Sequence, residues 1–369
     1  MLGAPLPFSV RAADETLLLA CGQVIHDEEQ LGELFARGAL VEAAELAAIQ
    51  QRTAPRSTPG VTADTPAAKL PALWEHCTDK VRSALAAVPE ELRRALGDAG
   101  TQLLALIDRA PNVALAQVVR EQSAGDAHYG ISHSINAATA CVAAARHLQW
   151  SAEDQRRAFD AALTMNVSML DMQARLATQV SPLTTGQRNA IQEHPTRSAE
   201  LLAQAGVDDE LWLDAVRQHH EQGDGSGYPS GRFDVCELAS LLRFADVYTA
   251  LMSARSNRPA MTAQQAGREL YQLAGDSPLG QAVIKSFGIF PPGSCVRLAS
   301  GEMGVVAGNG EKAYHPRVAA MTTTDGAPRL TPVMRNSAHS EHAVVALLPM
   351  QAMPMRISQQ AVAGIIAAA

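Results

Sequence analysis

Along most of the chain apolar residues recur every three or four positions, the spacing of helices that bury one face. Leu103, Leu104, Ile107, Leu115, Val118 and Val119 follow it, and 71–121 reads as long helices. From about 125 to 286 helix follows helix, at 133–147, 152–166, 185–205, 208–221, 237–253 and 263–274, with short turns carrying Gly, Pro and Asp. That texture predicts a helical bundle. The period changes at both ends. Residues 8–11 alternate and 17–25 read as a second strand, before a helix over 28–37 that His26-Asp27 caps and Gly38 ends. Beyond Phe290-Pro291-Pro292-Gly293, short strands are expected at 295–298, 303–307, 317–320, 329–330 and 343–348.

These changes divide the chain. An N-terminal α+β module is expected over 1–50, and a linker rich in Pro, Thr and Ala over 51–70. A helical connector follows over 71–124, then a helical domain over 125–286, a small β subdomain over 287–349 and a tail over 350–369. Apolar residues are 47% of the chain but aromatics only 4%, so the core rests on Ala and Leu, which favour helix. The net charge of −8 repels polyphosphate, which argues against a nucleic-acid polymer as partner. Cys21, Cys77, Cys141, Cys236 and Cys295 are scattered without a C-x-x-C pair and read as reduced, buried thiols. The apolar runs 16–20 and 361–369 are too short for a signal core or a membrane span, so the cytoplasm is the expected compartment.

The densest chemistry lies in His219-His220-Glu221-Gln222-Gly223-Asp224-Gly225-Ser226-Gly227-Tyr228-Pro229. Adjacent imidazoles at a helix end suit borderline metals such as zinc, iron and manganese. The glycines after them let backbone approach a ligand closely. A lone histidine pair is more often solvated or satisfied in a core, but the whole string is too particular for chance. His76, His147, His315, His339 and His342 lack partners at ligand spacing and read as ordinary surface or core histidines. The sequence has no G-x-x-x-x-G-K-S/T loop and no G-x-S-x-G elbow, which argues against a P-loop nucleotidase or an α/β-hydrolase.

The string closely resembles the signature of the HD-GYP domain family, and the resemblance runs through most of 125–286. His133-Ser134 matches the family's first metal histidine, His194-Pro195 its later His-Pro, and Ala245-Asp246-Val247-Tyr248 the segment with its last metal carboxylate. Arg255 and Arg258-Pro259 stand where the family carries arginines. Residues 1–50 and the Phe290-Pro291-Pro292-Gly293 segment resemble common flanks of such proteins. The resemblance implies a mainly α protein: an HD-domain helical bundle with a small N-terminal α+β module and a small C-terminal β subdomain. Active members hold two or three metals and hydrolyse cyclic di-GMP, a metal-bound hydroxide attacking phosphorus in line. The implied metal set here is His133, His194, His219, His220 and Asp246. The implied ligand or partner surface is Asp224, Gly225, Gly227, Tyr228, Pro229, Arg255 and Arg258, with Tyr228 exposed and the arginines gripping phosphate.

The chain departs from the family pattern at its centre. Counted back from Ser181-Pro182-Leu183-Thr184, the family's His-Asp falls on Met165-Asn166, and its following Gly and Lys on Ser168 and Met169. A thioether stands for one imidazole, and a neutral amide for the carboxylate that bridges two cations. Tyr129 stands where three-metal members carry Glu. Asp171, nearby, matches no ligand position and reads as a solvated or capping residue. The pattern predicts a degenerate, non-catalytic signalling protein that acts by binding a protein partner, such as a diguanylate cyclase, or cyclic di-GMP itself. At most one divalent transition metal (Fe, Mn or Zn) is expected, through the histidine trio. The competing reading is an active metal-dependent phosphodiesterase with a rebuilt site.

Overall fold

In the computed structural model the described residues are 6, 9–12, 14, 16–20 and 22–41 of a first unit, and 61–62, 64–87, 89–119, 128–256 and 258–369 of a second. Phe8, Cys21 and the linker segment 51–60 lie outside the described residues.

In the first unit β1 (Val10–Arg11) pairs antiparallel with β2 (Leu17–Leu19), and α1 spans Glu28–Ala36. Asp27 caps α1 by accepting from the Gln30 amide at 2.8 Å. Leu6, Val10, Leu19, Ile25 and Leu34 form its small core.

The second unit is a mainly helical body with one sheet. Its helices are α2 (Leu70–Leu85), α3 (Pro89–Arg109), α4 (Pro111–Val119), α5 (Tyr129–His147), α6 (Ala152–Thr164), α7 (Leu170–Thr178), α8 (Thr185–Gln204), α9 (Glu210–Gln218), α10 (Glu237–Met252), α11 (Ala263–Ala274) and α12 (Pro278–Phe287). Helix α5 is the axis. Ala137, Ala138, Ala140, Ala144 and Ala145 are buried along it, and such small side chains let α6, α10 and α12 approach closely. Thr184 and Thr262 start α8 and α11 with capping boxes completed by Gln187 and Gln265.

The sheet is antiparallel, in the order β6-β5-β4-β3-β7, from β3 (Cys295–Leu298), β4 (Met303–Gly308), β5 (Arg317–Thr322), β6 (Pro328–Asn336) and β7 (Val344–Leu348). The final residues were read as a tail, but α13 (Gln359–Ala368) buries Val362, Ala363 and Ile366 against α2, α4 and β4. Their apolarity serves this docking. Among the described residues no helix is long and apolar enough to cross a membrane.

Candidate metal and ligand site

Four helices bring ligand-type side chains to one place. Helix α5 carries Tyr129 and His133, α8 carries His194, the end of α9 presents His219 and His220, and α10 carries Asp246. His133, His194, His220 and Asp246 line a cavity of about 210 Å³ together with Asn166, Met169, Gln173, Tyr228 and Arg255. His219 closes the group from beneath, fully buried.

Local sequence sets the tautomers of two histidines. Pro195 has no N–H, so the helical bond that residue 195 would give to the Ile191 carbonyl cannot form. His194 Nδ1 takes that carbonyl instead, at 2.6 Å. His219 sits just past the last turn of α9, where carbonyls lack helical partners, and its Nδ1 lies 2.7 Å from the Val216 oxygen. Both Nδ1–H groups therefore donate to backbone, which leaves both Nε2 atoms as lone pairs. Those two atoms face each other at 3.2 Å. His220 completes the group, its ring centre 4.2 Å from that of His219 and 5.1 Å from that of His194. One nitrogen from each ring lies within 4.8 Å of the others. That span can close on one ion with metal–nitrogen bonds of about 2 Å, so the trio fits a divalent transition metal. Burial above all, with His219 alongside, pushes His194 down to about 3. Burial likewise lowers His219 and His220, so all three stay in the neutral form that binds metals.

The other half of the cavity is different. Asp246 accepts from His133 Nε2 at 2.7 Å. Burial raises its pKa, but the hydrogen bond from His133, with the neighbouring imidazoles, holds the carboxyl well below its usual range. Asn166 is 2% exposed, and its Nδ2 has no hydrogen-bond partner. Among the described residues the histidine trio is the one group of three or more His, Cys, Asp or Glu placed to share an ion.

Met165 does not face the cavity as expected. It is fully buried in the apolar core, where a thioether is at home, while Asn166 and Met169 line the opening. Ser168 binds this turn to α8, with its hydroxyl 3.1 Å from the His194 carbonyl oxygen and 2.9 Å from Ser198 Oγ.

The loop after the histidines folds back on them. The Glu221 carboxylate, 2% exposed, accepts from the backbone amides of Ser230, Gly231 and Arg232 at 2.7, 3.1 and 3.2 Å. A Cβ on Gly227 would lie 2.4 Å from the Gln222 nitrogen and 2.5 Å from Glu221 Cα, so only glycine fits there. Gly225 has φ +77° beneath the Phe233 ring. Tyr228 was expected on the surface near the cavity rather than in the core. It does line the cavity, but it is half-buried and stacks on His220 at 4.6 Å, because Glu221 draws the loop inward. Asp224 and Pro229 are exposed, and Asp224 accepts from the Ser226 amide and hydroxyl within its own turn.

The arginines divide. Arg255 lines the cavity and donates from Nε to the Tyr129 hydroxyl at 3.1 Å. Arg258 was expected beside it, but its guanidinium donates to the Ala250 carbonyl and is not among the lining residues. Gln173, Leu176 and Ile191 also line the cavity, and the motif reading missed them. Gln173 Oε1 is buried without a partner.

Residues 115–282 match the HD domain family, and within them the motif at 219–229 resembles the HD-GYP signature. Over 222 residues it is 30% identical to the cyclic di-GMP phosphodiesterase PA4108 of Pseudomonas aeruginosa, covering 59% of this chain and 53% of that protein. Over 102 residues it is 38% identical to the cyclic di-GMP phosphodiesterase response regulator RpfG of Xanthomonas campestris pv. campestris, covering 25% of each. The matches thus span about half and one quarter of these relatives. Bd1817, an HDG"Y"P protein of Bdellovibrio bacteriovorus, aligns with a TM-score of 0.46 and 17% identity, over 76% of this chain and 94% of that one.

Proposed function

We propose that this chain is a cyclic di-GMP signalling protein whose cavity binds the nucleotide around at most one metal and does not turn it over. The observation that carries this reading is Asn166. A neutral amide with an unpartnered Nδ2–H₂ stands where the family pattern has the carboxylate that tethers two cations. The other cavity carboxylate, Asp246, is already engaged by His133. The trio His194, His219 and His220 would hold the metal, which would supply positive charge to a phosphate oxygen. Arg255, also in the cavity wall, adds a second positive charge. The charge and bridging that a two-metal displacement needs are missing. Binding of a protein partner such as a diguanylate cyclase would then report the nucleotide-bound state.

The test is turnover of cyclic di-GMP by the purified protein with Mn²⁺ or Fe²⁺, beside the variant Asn166→Asp, which returns the carboxylate to the cavity, with nucleotide binding measured in parallel. Binding without turnover in the wild type is expected. Wild-type turnover in the ordinary enzymatic range of about 1 to 10³ per second would establish the rebuilt-phosphodiesterase reading instead.

A further inference from the structure

Two amide side chains face the same cavity with opposite unmet needs. Asn166 presents a buried donor, Nδ2, without an acceptor, and Gln173 presents a buried acceptor, Oε1, without a donor. Buried polar groups are nearly always hydrogen-bonded, and leaving one unpaired is unfavourable. Gln173 is held in place from below. Gly130 of α5 leaves room for it, and a Cβ there would come within 3.1 Å of Oε1 and 2.6 Å of the Leu170 carbonyl oxygen. Among the other polar groups of the wall, Arg255 and the histidines, with the cation they would hold, suit a phosphodiester, while the Asp246 carboxylate is taken by His133.

Resting on the nucleotide reading above, we propose that Gln173 and Asn166 together recognise a ribose 2′-hydroxyl next to the bound phosphodiester, with Gln173 as a specificity-determining residue. A hydroxyl both donates and accepts. It can give its proton to Gln173 Oε1 while accepting from Asn166 Nδ2–H₂. A phosphate oxygen could satisfy only Asn166; a guanine edge, which sets an acceptor beside an N–H, is the other part of the nucleotide that could meet both amides, and the 2′-deoxy analogue separates it from the hydroxyl. The replacement of a charged carboxylate by Asn166 thus removes a metal bridge and supplies a donor for a sugar.

The test measures the dissociation constants of cyclic di-GMP and of its 2′-deoxy analogue for the wild type, Gln173→Leu and Gln173→Glu, with the melting temperature of each variant as a folding control. The wild type should bind the deoxy analogue about tenfold more weakly, the scale of one unpaired buried group. Gln173→Leu should weaken cyclic di-GMP by about the same factor and reduce the discrimination, which then rests on Asn166 alone, while Gln173→Glu, which keeps an acceptor, should retain it. Equal affinity of the wild type for both nucleotides overturns the inference, as does discrimination that Gln173→Leu leaves undiminished. In the first case another group, a guanine edge or a solvent molecule, satisfies the two amides; in the second Gln173 does not contact the hydroxyl. Failure of the wild type to bind cyclic di-GMP at all overturns the nucleotide reading itself, and this inference with it.

Discussion

His194 and His219 point bare Nε2 lone pairs at each other across 3.2 Å, because each has committed its Nδ1–H to a backbone carbonyl. Two lone pairs at that distance repel unless a cation sits against them. A proton is disfavoured, since burial depresses both groups. A divalent ion shared with His220 removes the conflict, and we expect about one transition-metal ion per purified chain by elemental mass spectrometry. His219→Ala should abolish stoichiometric metal, and Asn166→Ala should leave it. Stripping the metal should lower the melting temperature, since an ion that binds only the folded state at 100 times its dissociation constant contributes about 2.7 kcal/mol. Full occupancy in His219→Ala would place the metal elsewhere.

Glu221 organises the loop from inside. Its carboxylate takes three successive amides and has no salt-bridge partner among the described residues. Hydrogen bonds to a charged group contribute about 1.5–3 kcal/mol each, but three on one short loop are partly redundant. Glu221→Ala should therefore cost about 3 kcal/mol and free the loop locally. Hydrogen exchange should speed up at 230–232 while α5 and α10 keep their protection. Unchanged exchange at 230–232 would show that Gly227 and its close backbone contacts hold the loop alone.

Tyr228 lies over His220 rather than out in solvent, so its removal should act on the site. Aromatic pairs are worth about 0.5–1.5 kcal/mol beyond area burial. Tyr228→Ala should weaken metal binding by about three- to tenfold, and Tyr228→Phe, which keeps the ring, should restore it. Equal metal affinity in wild type and Tyr228→Ala, by competition with a chromogenic chelator, would argue that the stack does not orient His220.

Much of this molecule was legible in the order of its residues. Periodicity found six helices of the body to within a few residues, since Ala- and Leu-rich faces repeat clearly along α5, α6 and α8 to α11. It missed α7 and α12. Helix α7 is nine residues long and amphipathic for barely two turns, and α12 opens on Ser-Pro, which reads as a turn. Strand β6 extends well past the expected 329–330 because it is an edge strand with mostly exposed or half-buried positions, so no apolar alternation marks it. In the site, the motif brought the histidines and Asp246 to one cavity. It could not show Met165 turning into the core, because burial is decided by the neighbours of a side chain and not by its column in a pattern. Gln173 was invisible for a related reason: a missing hydrogen-bond partner exists only in three dimensions.

Glu302 in the sheet is a second feature that sequence spacing hides. Its side chain is fully buried and meets residues 27, 33 and 40 positions further on. Arg335 grips it with Nε and Nη2, at 3.1 Å to Oε2 and 2.8 Å to Oε1, Arg329 adds a contact at 3.1 Å, and His342 lies 3.7 Å away. The hydrogen bond from Arg335 does most to hold the carboxyl below its usual value, against the opposing effect of burial, with Ser300 and Arg329 assisting. A depressed folded value means that the unfolded chain takes up the proton first as pH falls. The contribution of Glu302 to stability is therefore complete above the ordinary carboxyl value of 4.5 and is lost as pH drops through the lower folded value. Removing one partner from a buried ion pair costs about 3–5 kcal/mol. Both arginines here are about one quarter exposed, so Glu302→Gln should cost about 3 kcal/mol at neutral pH. Measured by calorimetry, the gap in melting temperature between wild type and Glu302→Gln should be constant from pH 7 to 5.5 and should close below pH 4.5. A gap that stays constant into acid would mean that shape alone, and not the charge of Glu302, holds the strands around it.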